Sequence, residues 1–408
     1  MAETKKGKIV FISYNYFPPT FSGKLVVSGR RFQDLDPNKF EVVILTRNLQ
    51  GLPKEDNRGH LKIYHSSSFG EGRFGKRLNA IMFWLWSSWK LKKEENVDIV
   101  HFDEPAVTSF PFMGSWGYEY GWKRFTKLAE LAQKKGARTI FEHAISDKDG
   151  YFAPEACRIP FYKKIDKIVC VSDALYEAAL EIYPTKASKI VCGIEDDVFL
   201  PLEENERALI RRENGENPDA LIFSFVGLVV RRKGFDLICK AFNRLAAELP
   251  DIRLWVLGPC SHAESKHIHD DEVAGYKLDF GENLDKVRFF GNTSDREKLA
   301  RNLAATDVCL FPTRQEGFGL APVEAMSCGV PPIITRIPGV TDLANVHGVT
   351  GFYIDLENEE QLFEAMKKLA LDQDLRKSMG RQARERIEEK FTWKQHLKAW
   401  EDFYTTNG

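Results

Sequence analysis

Glu316 and Glu324 are two carboxylates that flank a Gly-Phe-Gly triplet, 317–319, in the stretch RQEGFGLAPVEAMSCG. Apolar spacing directly after the triplet predicts a helix from about 320 to 327. The N–H groups at a helix start, with the positive end of its dipole, suit a diphosphate, and glycines let the backbone approach a ligand closely. Glu324, little more than one turn inside this helix, can face ribose hydroxyls, and Glu316 can reach hydroxyls on the far side of the same ligand.

These groups together favour a ligand with a diphosphate in its middle and hydroxyl-rich rings at both ends. A nucleotide sugar has this chemistry. The alternative is a surface loop with two unrelated acids, in which the glycines serve only as turns.

A basic turn lies upstream in ALIFSFVGLVVRRKGFDLICKAF, which has the pattern of a strand, a loop and a helix. Arg231, Arg232 and Lys233 occupy this turn, directly before Gly234. A lysine at this place can neutralise a departing diphosphate. A solvated basic turn without a ligand is the alternative.

Strand-like apolar runs alternate with longer segments of helical spacing along the chain. This alternation predicts an α/β protein with mostly parallel sheets covered by helices. The charged stretch 201–220 separates two such series, so we predict two Rossmann-like domains, 1–203 and 204–390, followed by a last amphipathic helix. Parallel α/β sheets bind ligands beyond the carboxyl ends of their strands, so we expect a site in a cleft between the two facing domains.

The composition is that of an ordinary soluble protein of two domains, with 408 residues, 43% of them hydrophobic. The formal net charge is -1, so no overall field draws the chain to nucleic acid. The seven cysteines form no C-x-x-C pair, and several lie in apolar runs, which is typical of reduced, buried thiols in a cytoplasmic protein. No apolar run is long enough to span a bilayer, and the run near the N-terminus is interpreted as a first strand rather than a secretion signal.

Motifs along nearly the whole length resemble those of retaining glycosyltransferases of family 4, which have the two-domain GT-B fold. In the first half they are YFPPTFSGK, VDIVHF, ARTIFEH and IDKIVCVSDAL, and CGIEDDVFLP resembles the segment that crosses between the domains. The stretch from Glu316 to Glu324 reproduces the E-x7-E signature, and TGFYID and FTW follow in order. The resemblance implies that the C-terminal helix, 391–408, crosses back to the first domain.

The resemblance also implies roles for individual side chains. Glu316 would act on hydroxyls of the donor sugar, Lys233 on the departing diphosphate, and His143 near the transferred sugar. A buried core histidine is the alternative for His143. The donor-binding residues would be Gly23, Lys24, Arg232, Lys233, Gly317, Phe318, Gly319, Leu320 and Glu324.

One position departs from the family pattern in a way that bears on function. Leu228 stands where the family commonly has an arginine, so half of the usual cationic pair for the diphosphate is missing at its own place. Lys24, beside the glycine of the first domain, is the first candidate to replace it, ahead of Arg231 and Arg232.

No pair of carboxylates is placed for a double displacement of the glycosidase type. The resemblance implies instead a front-face substitution with retention, in which the leaving phosphate takes the acceptor proton and neither a metal nor another cofactor is needed. The stretch SHAESKHIHDDE, 261–272, is interpreted as a polar loop, because its spacing matches no known metal site. The D-x-D triplet at 147–149 follows His143, and because the resemblance implies a fold that needs no metal, it is interpreted as a loop or as polar groups that face the acceptor.

The stretch RFGKRLNAIMFWLWSSWKLKK, 73–93, combines basic residues and tryptophans without any acid. Its helical spacing predicts one apolar face, formed by Leu78, Ile81, Met82, Leu85 and Trp89. Three aromatic residues widen this face almost all round: Phe83, Trp84 and Trp86. Packing on the sheet of the first domain is one explanation. An interfacial helix on an anionic membrane is the other, and it would add a peripheral contact with the inner face of a membrane to a cytoplasmic location and suit a lipid-linked acceptor.

The leading hypothesis is a retaining glycosyltransferase that moves a sugar from a nucleotide-diphosphate sugar to a glycolipid, polysaccharide or other glycoconjugate acceptor. Two alternatives keep the fold: a transferase with a small soluble acceptor, as in disaccharide or glycoside synthesis, and a degenerate nucleotide-sugar-binding protein without turnover. A dinucleotide-dependent oxidoreductase is disfavoured, because no strand is followed by G-x-G-x-x-G opening a helix.

Overall fold

A computed structural model describes residues 6–14, 23–48, 52–70, 73–103, 114–144, 158–261 and 269–406. Contacts divide the chain into two units, one formed by Met1–Val191 with Leu397–Gly408 and one by Cys192–His396. Each unit is built around its own sheet, with helices in the connections between strands. The α/β class with two parallel-sheet domains, which the alternating pattern predicts, is confirmed.

The described strands of the first unit are β1 (Gly7–Ile12), β2 (Phe40–Thr46), β3 (Glu55–Arg58), β4 (Leu61–His65), β5 (Ile99–Phe102), β6 (Arg138–His143), β7 (Lys167–Cys170) and β8 (Ala187–Lys189). They form a sheet in the order β3-β4-β2-β1-β5-β6-β7-β8. Neighbouring strands are parallel except β3 and β4. The helices are α1 (Gly23–Asp34), α2 (Arg73–Lys93), α3 (Gly114–Lys134), α4 (Ile159–Lys164) and α5 (Asp173–Ile182).

The described strands of the second unit are β9 (Leu221–Val226), β10 (Ile252–Leu257), β11 (Val287–Gly291), β12 (Val308–Phe311), β13 (Pro332–Thr335) and β14 (Phe352–Ile354). Their order is β11-β10-β9-β12-β13-β14, and these strands are all parallel. The helices are α6 (Glu204–Glu213), α7 (Phe235–Glu248), α8 (Asp270–Phe280), α9 (Arg296–Ala304), α10 (Leu320–Ser327), α11 (Glu359–Leu371), α12 (Gln373–Lys390) and α13 (Trp393–Thr406).

Helix α13 starts in the second unit, and from Leu397 onward its residues belong to the first. Trp400, Phe403 and Tyr404 are buried in the core of the first unit. Because indole and phenyl groups bury a large apolar area, these three side chains account for much of the attachment of the helix to that core.

The charged stretch 201–220, which the sequence pattern predicts to be a domain boundary, contains helix α6. A capping box starts the helix: the Glu203 side chain accepts from the third helical residue, and Glu206 accepts the backbone N–H of Glu203. Ile210 and Arg211 are buried, so one face of this charged helix packs against the second unit.

Helix α2 packs on the first unit through Phe83, Trp84 and Leu91, which are buried. Leu85 and Trp89, which we placed on the apolar face, are instead 45% and 50% exposed. The core therefore accounts for one side of this helix and leaves two large apolar side chains in solvent. Across the described part of the chain, no helix is long and apolar enough to cross a membrane.

Of the cysteines that the structure describes, all except Cys260 are buried. Burial raises the pKa of the Cys170 and Cys309 thiols to about 12. These thiols are thus poor nucleophiles near neutral pH. Cys157 lies outside the described residues.

Each described sheet has a topological switch point, where the strands on one side continue towards one edge of the sheet and those on the other side continue towards the opposite edge. It lies between β1 and β5 in the first unit and between β9 and β12 in the second. Open α/β sheets bind ligands beyond the carboxyl ends of the strands at such switch points. The loops that follow β9 and β12 are therefore where a site is expected in the second unit.

Candidate functional site

The loops after β9 and β12 meet at the switch point of the second sheet, and Gly234 allows this contact. Its φ is +75°, and a Cβ at this position would lie 1.9 Å from the carbonyl oxygen of Pro312. A side chain is thus disfavoured both by the left-handed backbone and by the neighbouring loop. The backbone N–H of Arg314 donates to the carbonyl of Arg232 (2.9 Å) and joins the two loops a second time.

Lys233 and Glu316 form an ion pair at this switch point. Only 14% of the Lys233 side chain and 13% of the Glu316 side chain are exposed, so the pair is partly shielded from water. The Lys233 ammonium also lies 5.2 Å from the centre of the Phe311 ring. One cation and one carboxylate are therefore held side by side just beyond the ends of β9 and β12.

Arg314 fixes the loop that carries Glu316. Its guanidinium donates to both carboxylate oxygens of Asp236 (2.7 and 2.9 Å) and to the Glu357 carboxylate (2.5 Å). The hydrogen bonds to Glu357 and Asp236 outweigh burial and raise the pKa of Arg314 above its ordinary value. Arg232, a predicted donor-binding residue, is exposed and donates to the Gln315 carbonyl (3.2 Å).

The triplet 317–319 leads directly into α10, the helix that the apolar spacing predicts. Gly319 is its N-cap with φ +89°, a conformation that glycine adopts without strain. Phe318 is buried, and Gly329, with φ +73°, follows the helix end. Leu320 is the first residue of the helix, so only the triplet separates the start of α10 from Glu316, the residue that pairs with Lys233.

Glu324 is buried in α10 and bound to a cation that comes from another helix. Its Oε1 accepts from Nη2 of Arg296 (2.6 Å), and Nε of Arg296 donates to Oε2 of Glu195 (2.7 Å). Burial opposes the charge of the Arg296 guanidinium, but the two carboxylates outweigh it and raise its pKa above the ordinary value. One guanidinium therefore bridges two carboxylates.

Glu316 and Glu324 share a bonding pattern. Oε1 of Glu316 accepts from Lys233, and Oε1 of Glu324 accepts from Arg296. Within the described ranges, neither Oε2 atom has a side-chain donor. Each carboxylate is thus oriented through one of its two oxygens.

The sequence patterns do not single out Arg296, Glu195 or Arg314. Glu195 lies within the quoted run CGIEDDVFLP, but no spacing connects it with positions 296 and 324. Arg296 meets Glu195 and Glu324, and Arg314 meets Asp236 and Glu357, across separate connections of the second unit. These contacts therefore exist only in the folded chain.

Gly23, Lys24 and His143 belong to the first unit. Gly23 and Lys24 begin α1, and His143 ends β6. Lys24 Nζ pairs with Asp103 (2.8 Å) and donates to the carbonyl of Glu142 (2.9 Å), directly before His143. The charge of Lys24 is therefore balanced within the first unit. His143 is 2% exposed, and its role at a reacting centre stays a prediction.

A buried ionic cluster lies next to these residues. Nη2 of Arg31 contacts Oε2 of Glu142 (2.8 Å), and the Arg31 guanidinium lies 4.0 Å from the centre of the Trp400 ring. Burial opposes ionisation of Glu142, but Arg31 and Lys24 hold the pKa of that carboxyl well below its ordinary value. Burial and the charge of Arg31 lower the pKa of His101, whose Nε2 lies 3.6 Å from Glu142. This cluster attaches helix α13 to the first sheet.

Among the residues that the structure describes, no group of three His, Cys, Asp or Glu side chains is placed to hold a metal ion. The D-x-D triplet at 147–149 and positions 262–268 of the histidine-rich stretch lie outside those residues.

Residues 206–386, which include Lys233, Glu316 and Glu324, match the family described as glycosyl transferases group 1. The chain is 28% identical over 225 residues to D-inositol 3-phosphate glycosyltransferase of Kribbella flavida. It is 27% identical over 250 residues to the capsular polysaccharide biosynthesis glycosyltransferase CapM of Staphylococcus aureus. These alignments cover 53% and 59% of this chain and 51% and 61% of the relatives, so the chain spans between half and two thirds of their length.

Solved glycosyltransferase structures share the fold over nearly the whole chain. Sucrose-phosphate synthase from Thermosynechococcus elongatus has a TM-score of 0.78 at 20% identity and covers 98% of both chains. HepE of Anabaena in complex with UDP-glucose has a TM-score of 0.72 at 14% identity, over 98% of this chain and 99% of that one. The chain therefore has the GT-B fold that the sequence motifs indicate.

Proposed function

We propose that the protein is a retaining glycosyltransferase that moves a sugar from a nucleotide-diphosphate sugar to an acceptor in glycoconjugate synthesis. The observation that carries this proposal is the Lys233–Glu316 pair, which lies at the switch point of the second sheet, with only the triplet 317–319 between Glu316 and the start of α10 at Leu320. A cation, a carboxylate and free helix N–H groups at one place are the groups that a sugar diphosphate needs. The group 1 match of residues 206–386 and the names of the relatives support the same class.

In this proposal the incoming diphosphate replaces Glu316 as the partner of Lys233. Glu316 then accepts hydrogen bonds from the donor sugar, and Lys233 and the N-terminal end of α10 stabilise the charge that develops on the leaving diphosphate. A leaving phosphate oxygen takes the proton of the acceptor hydroxyl. The new glycosidic bond forms on the face from which the phosphate departs, so the anomeric configuration is retained.

Glu324 binds the nucleoside end of the same donor in this proposal. Arg296 holds its Oε1, and Oε2 receives the ribose hydroxyls. Arg296 in turn is held by Glu195. The orientation of the Glu324 carboxylate, which binds the ribose, therefore depends on the guanidinium that joins the two carboxylates. A fixed carboxylate loses less conformational entropy on binding than a mobile one.

UDP-glucose is the first donor to test, because HepE, which shares the fold, was solved with it. The acceptor is a glycoconjugate or a small molecule: relatives are named for capsular polysaccharide, for D-inositol 3-phosphate and for L-malate. The cytoplasm is the proposed location, and no metal or other cofactor takes part.

Helix α2 supports a lipid-linked acceptor. Leu85 and Trp89 are exposed on it, and Lys92 and Lys93 are exposed one turn further. Large apolar groups beside lysines suit a peripheral contact with an anionic membrane surface.

Leu228 supports a second candidate, a nucleotide-sugar-binding protein without turnover. Its side chain packs against the apolar core of the second unit, so this position supplies no cation for a diphosphate. Lys24, the first candidate to replace the missing arginine, is paired with Asp103.

The proposal is tested by incubating the full chain with UDP-glucose and a panel of other nucleotide sugars, with and without acceptors, and measuring released nucleotide. We expect turnover that Glu316→Gln reduces at least a hundredfold, whereas Glu389→Gln, at a carboxylate 67% exposed, leaves it unchanged. The anomer of the product, read by NMR, must match that of the donor, and a chelator must leave the rate unchanged. Nucleotide binding without turnover on any donor would favour the second candidate, and no binding would reject both.

A further inference from the structure

A cavity of about 560 Å³ lies in the second unit at the edge of the sheet where strands begin. Leu221, the first residue of β9, lines it, together with Asp307 just before β12 and Pro331 just before β13. The Lys233–Glu316 pair follows the opposite ends of β9 and β12. Since these strands are parallel, the cavity and the candidate donor site lie at opposite edges of the sheet.

Basic side chains dominate the walls of this cavity. They are Arg207, Arg211, Arg376, Lys377, Arg381 and Arg384. Four carboxylates line it as well, so cations outnumber acids. An uncompensated positive field in a concave wall favours an anionic ligand.

Three of these cations are committed to the protein. Arg207 and Arg211 both contact Asp307 (2.8 and 2.9 Å), whose carboxylate also accepts the backbone N–H of Ile222 (2.8 Å). Arg384 donates to the carbonyl of Phe199 (3.0 Å). These groups build the wall of the cavity, and Arg207 and Arg211 share the Asp307 carboxylate.

Helix α12 supplies the remaining positive charge. Arg376 donates to the Leu369 carbonyl (2.5 Å). Burial lowers the pKa of Arg376; the Asp307 carboxylate opposes this effect, and the charges of Arg207 and Arg211 reinforce it. Lys377 and Arg381 are exposed, one turn apart on the same helix, and within the described ranges neither has an ion-pair partner. Two adjacent cations thus face a cavity in which positive charge is already crowded.

Two glycines bring this helix against the rest of the cavity. A Cβ at Gly380 in α12 would lie 2.1 Å from the carbonyl oxygen of Gly329, in the turn after α10. The close approach of the two backbones therefore holds the basic face of α12 beside Leu202 and Val330, which give the cavity an apolar wall.

From this geometry we propose that the cavity binds a small organic phosphate, with Lys377 and Arg381 on the phosphate group and the apolar wall on the organic part. A phosphate group offers three acceptor oxygens to two neighbouring cations. Inorganic phosphate would fill a small fraction of about 560 Å³. A cavity of this volume is of the size that accommodates small-molecule ligands.

Titration calorimetry with the full chain tests the proposal, with glucose 6-phosphate and glycerol 3-phosphate as probes and inorganic phosphate and glucose as references. We expect saturable binding of at least one organic phosphate, weaker binding of inorganic phosphate and none of glucose. The double variant Lys377→Ala/Arg381→Ala should weaken the binding at least tenfold. Its matched control, Lys390→Ala/Lys394→Ala, removes two exposed lysines that are equally spaced but do not line the cavity, and should bind as the wild type does.

Lys233→Ala separates this site from the candidate donor site and should leave the affinity unchanged. The proposal is overturned if the wild type binds no organic phosphate, if the Lys377/Arg381 variant binds as tightly as the control, or if Lys233→Ala abolishes binding. If inorganic phosphate bound as tightly as the organic phosphates, the apolar wall would have no role in binding, and the proposal of an organic ligand would be wrong. Binding is measured without sugar transfer, so the result is independent of the proposed enzymatic activity.

Discussion

The Lys233 ammonium and the Glu316 carboxylate form an ion pair although 83 residues separate them in the chain. The pair exists because β9 and β12 are neighbours in the sheet and their loops leave it at the same edge. Lys233 sits directly before Gly234, and the contact of that glycine with Pro312 fixes the distance between the loops.

Removal of the Lys233 ammonium should impair transfer more than binding. We expect Lys233→Ala to lower kcat/KM by about 10²–10³-fold, mainly through kcat, because the cation acts on charge that develops in the transition state. Lys240→Ala, at a lysine 63% exposed on α7, is the control and should leave both constants unchanged. A Lys233→Ala enzyme with normal kcat would remove this residue from the reacting centre.

Gly234→Ala should destabilise the second unit and misplace Lys233. The added Cβ meets the Pro312 carbonyl oxygen, and the left-handed conformation alone disfavours alanine by about 1–2 kcal/mol. Gly275→Ala is the control, since no atom lies within 4 Å of a Cβ added there and alanine favours a helix by about 0.5–1 kcal/mol. Urea unfolding should show opposite signs for the two variants, and equal signs would contradict the argument.

Loss of Arg296 should weaken nucleotide binding and lower stability together. Arg296→Ala leaves the buried carboxylates of Glu195 and Glu324 without their shared cation, which costs about 1–3 kcal/mol of unfolding free energy. Arg301→Ala, on the same helix but at a side chain 59% exposed, should change neither quantity. Calorimetric titration with UDP measures the nucleotide affinity, and thermal unfolding measures the stability. If Arg296→Ala bound UDP with normal affinity, Glu324 would not be the residue that binds the ribose.

Acidification should destabilise the first unit in two steps. His101 has a lowered pKa when folded, so the unfolded chain takes up a proton that the folded chain does not, and stability falls below pH 6.5, the ordinary pKa. The pKa of Glu142 is also lowered by folding, so its contribution is present above its ordinary pKa of 4.5 and is lost as the pH falls towards the folded value.

Urea unfolding of the wild type from about pH 7.5 down to about pH 2.5 measures this loss, because this range includes the ordinary pKa values of both groups and most of the interval between the ordinary and the folded pKa of Glu142. His101→Gln should flatten the upper part of the curve without removing the lower part, because Glu142 still titrates. If the stability of this variant depends on pH as steeply as that of the wild type above about pH 5.5, midway between the ordinary pKa values of 6.5 and 4.5, His101 does not cause the first step.

Helix α2 should attach the protein to anionic membranes if the acceptor is lipid-linked. We expect co-sedimentation with vesicles that contain phosphatidylglycerol and little with neutral phosphatidylcholine vesicles. Lys92→Glu/Lys93→Glu and, separately, Trp89→Ser should release the protein, whereas Lys127→Glu/Lys134→Glu, the same charge reversal at exposed lysines of α3, should not. Equal sedimentation of both charge variants would discard the membrane contact.

The sequence by itself determined the α/β class, the helix that begins near Leu320 and the glycines that precede it. These features follow from local rules: apolar periodicity sets strands and helices, and glycine marks positions with positive φ. The motif order also indicated the GT-B fold over nearly the whole length, which the solved structures share.

Only the tertiary structure decided which charges meet. Arg296 joins Glu195 to Glu324, and helix α2 exposes Leu85 and Trp89 although their spacing matches a core face. The cavity beside Lys377 likewise combines residues from separate parts of the second unit. The physical reason is that Coulomb and packing energies depend on distances between residues far apart in the chain, and sheet order rather than residue spacing sets those distances.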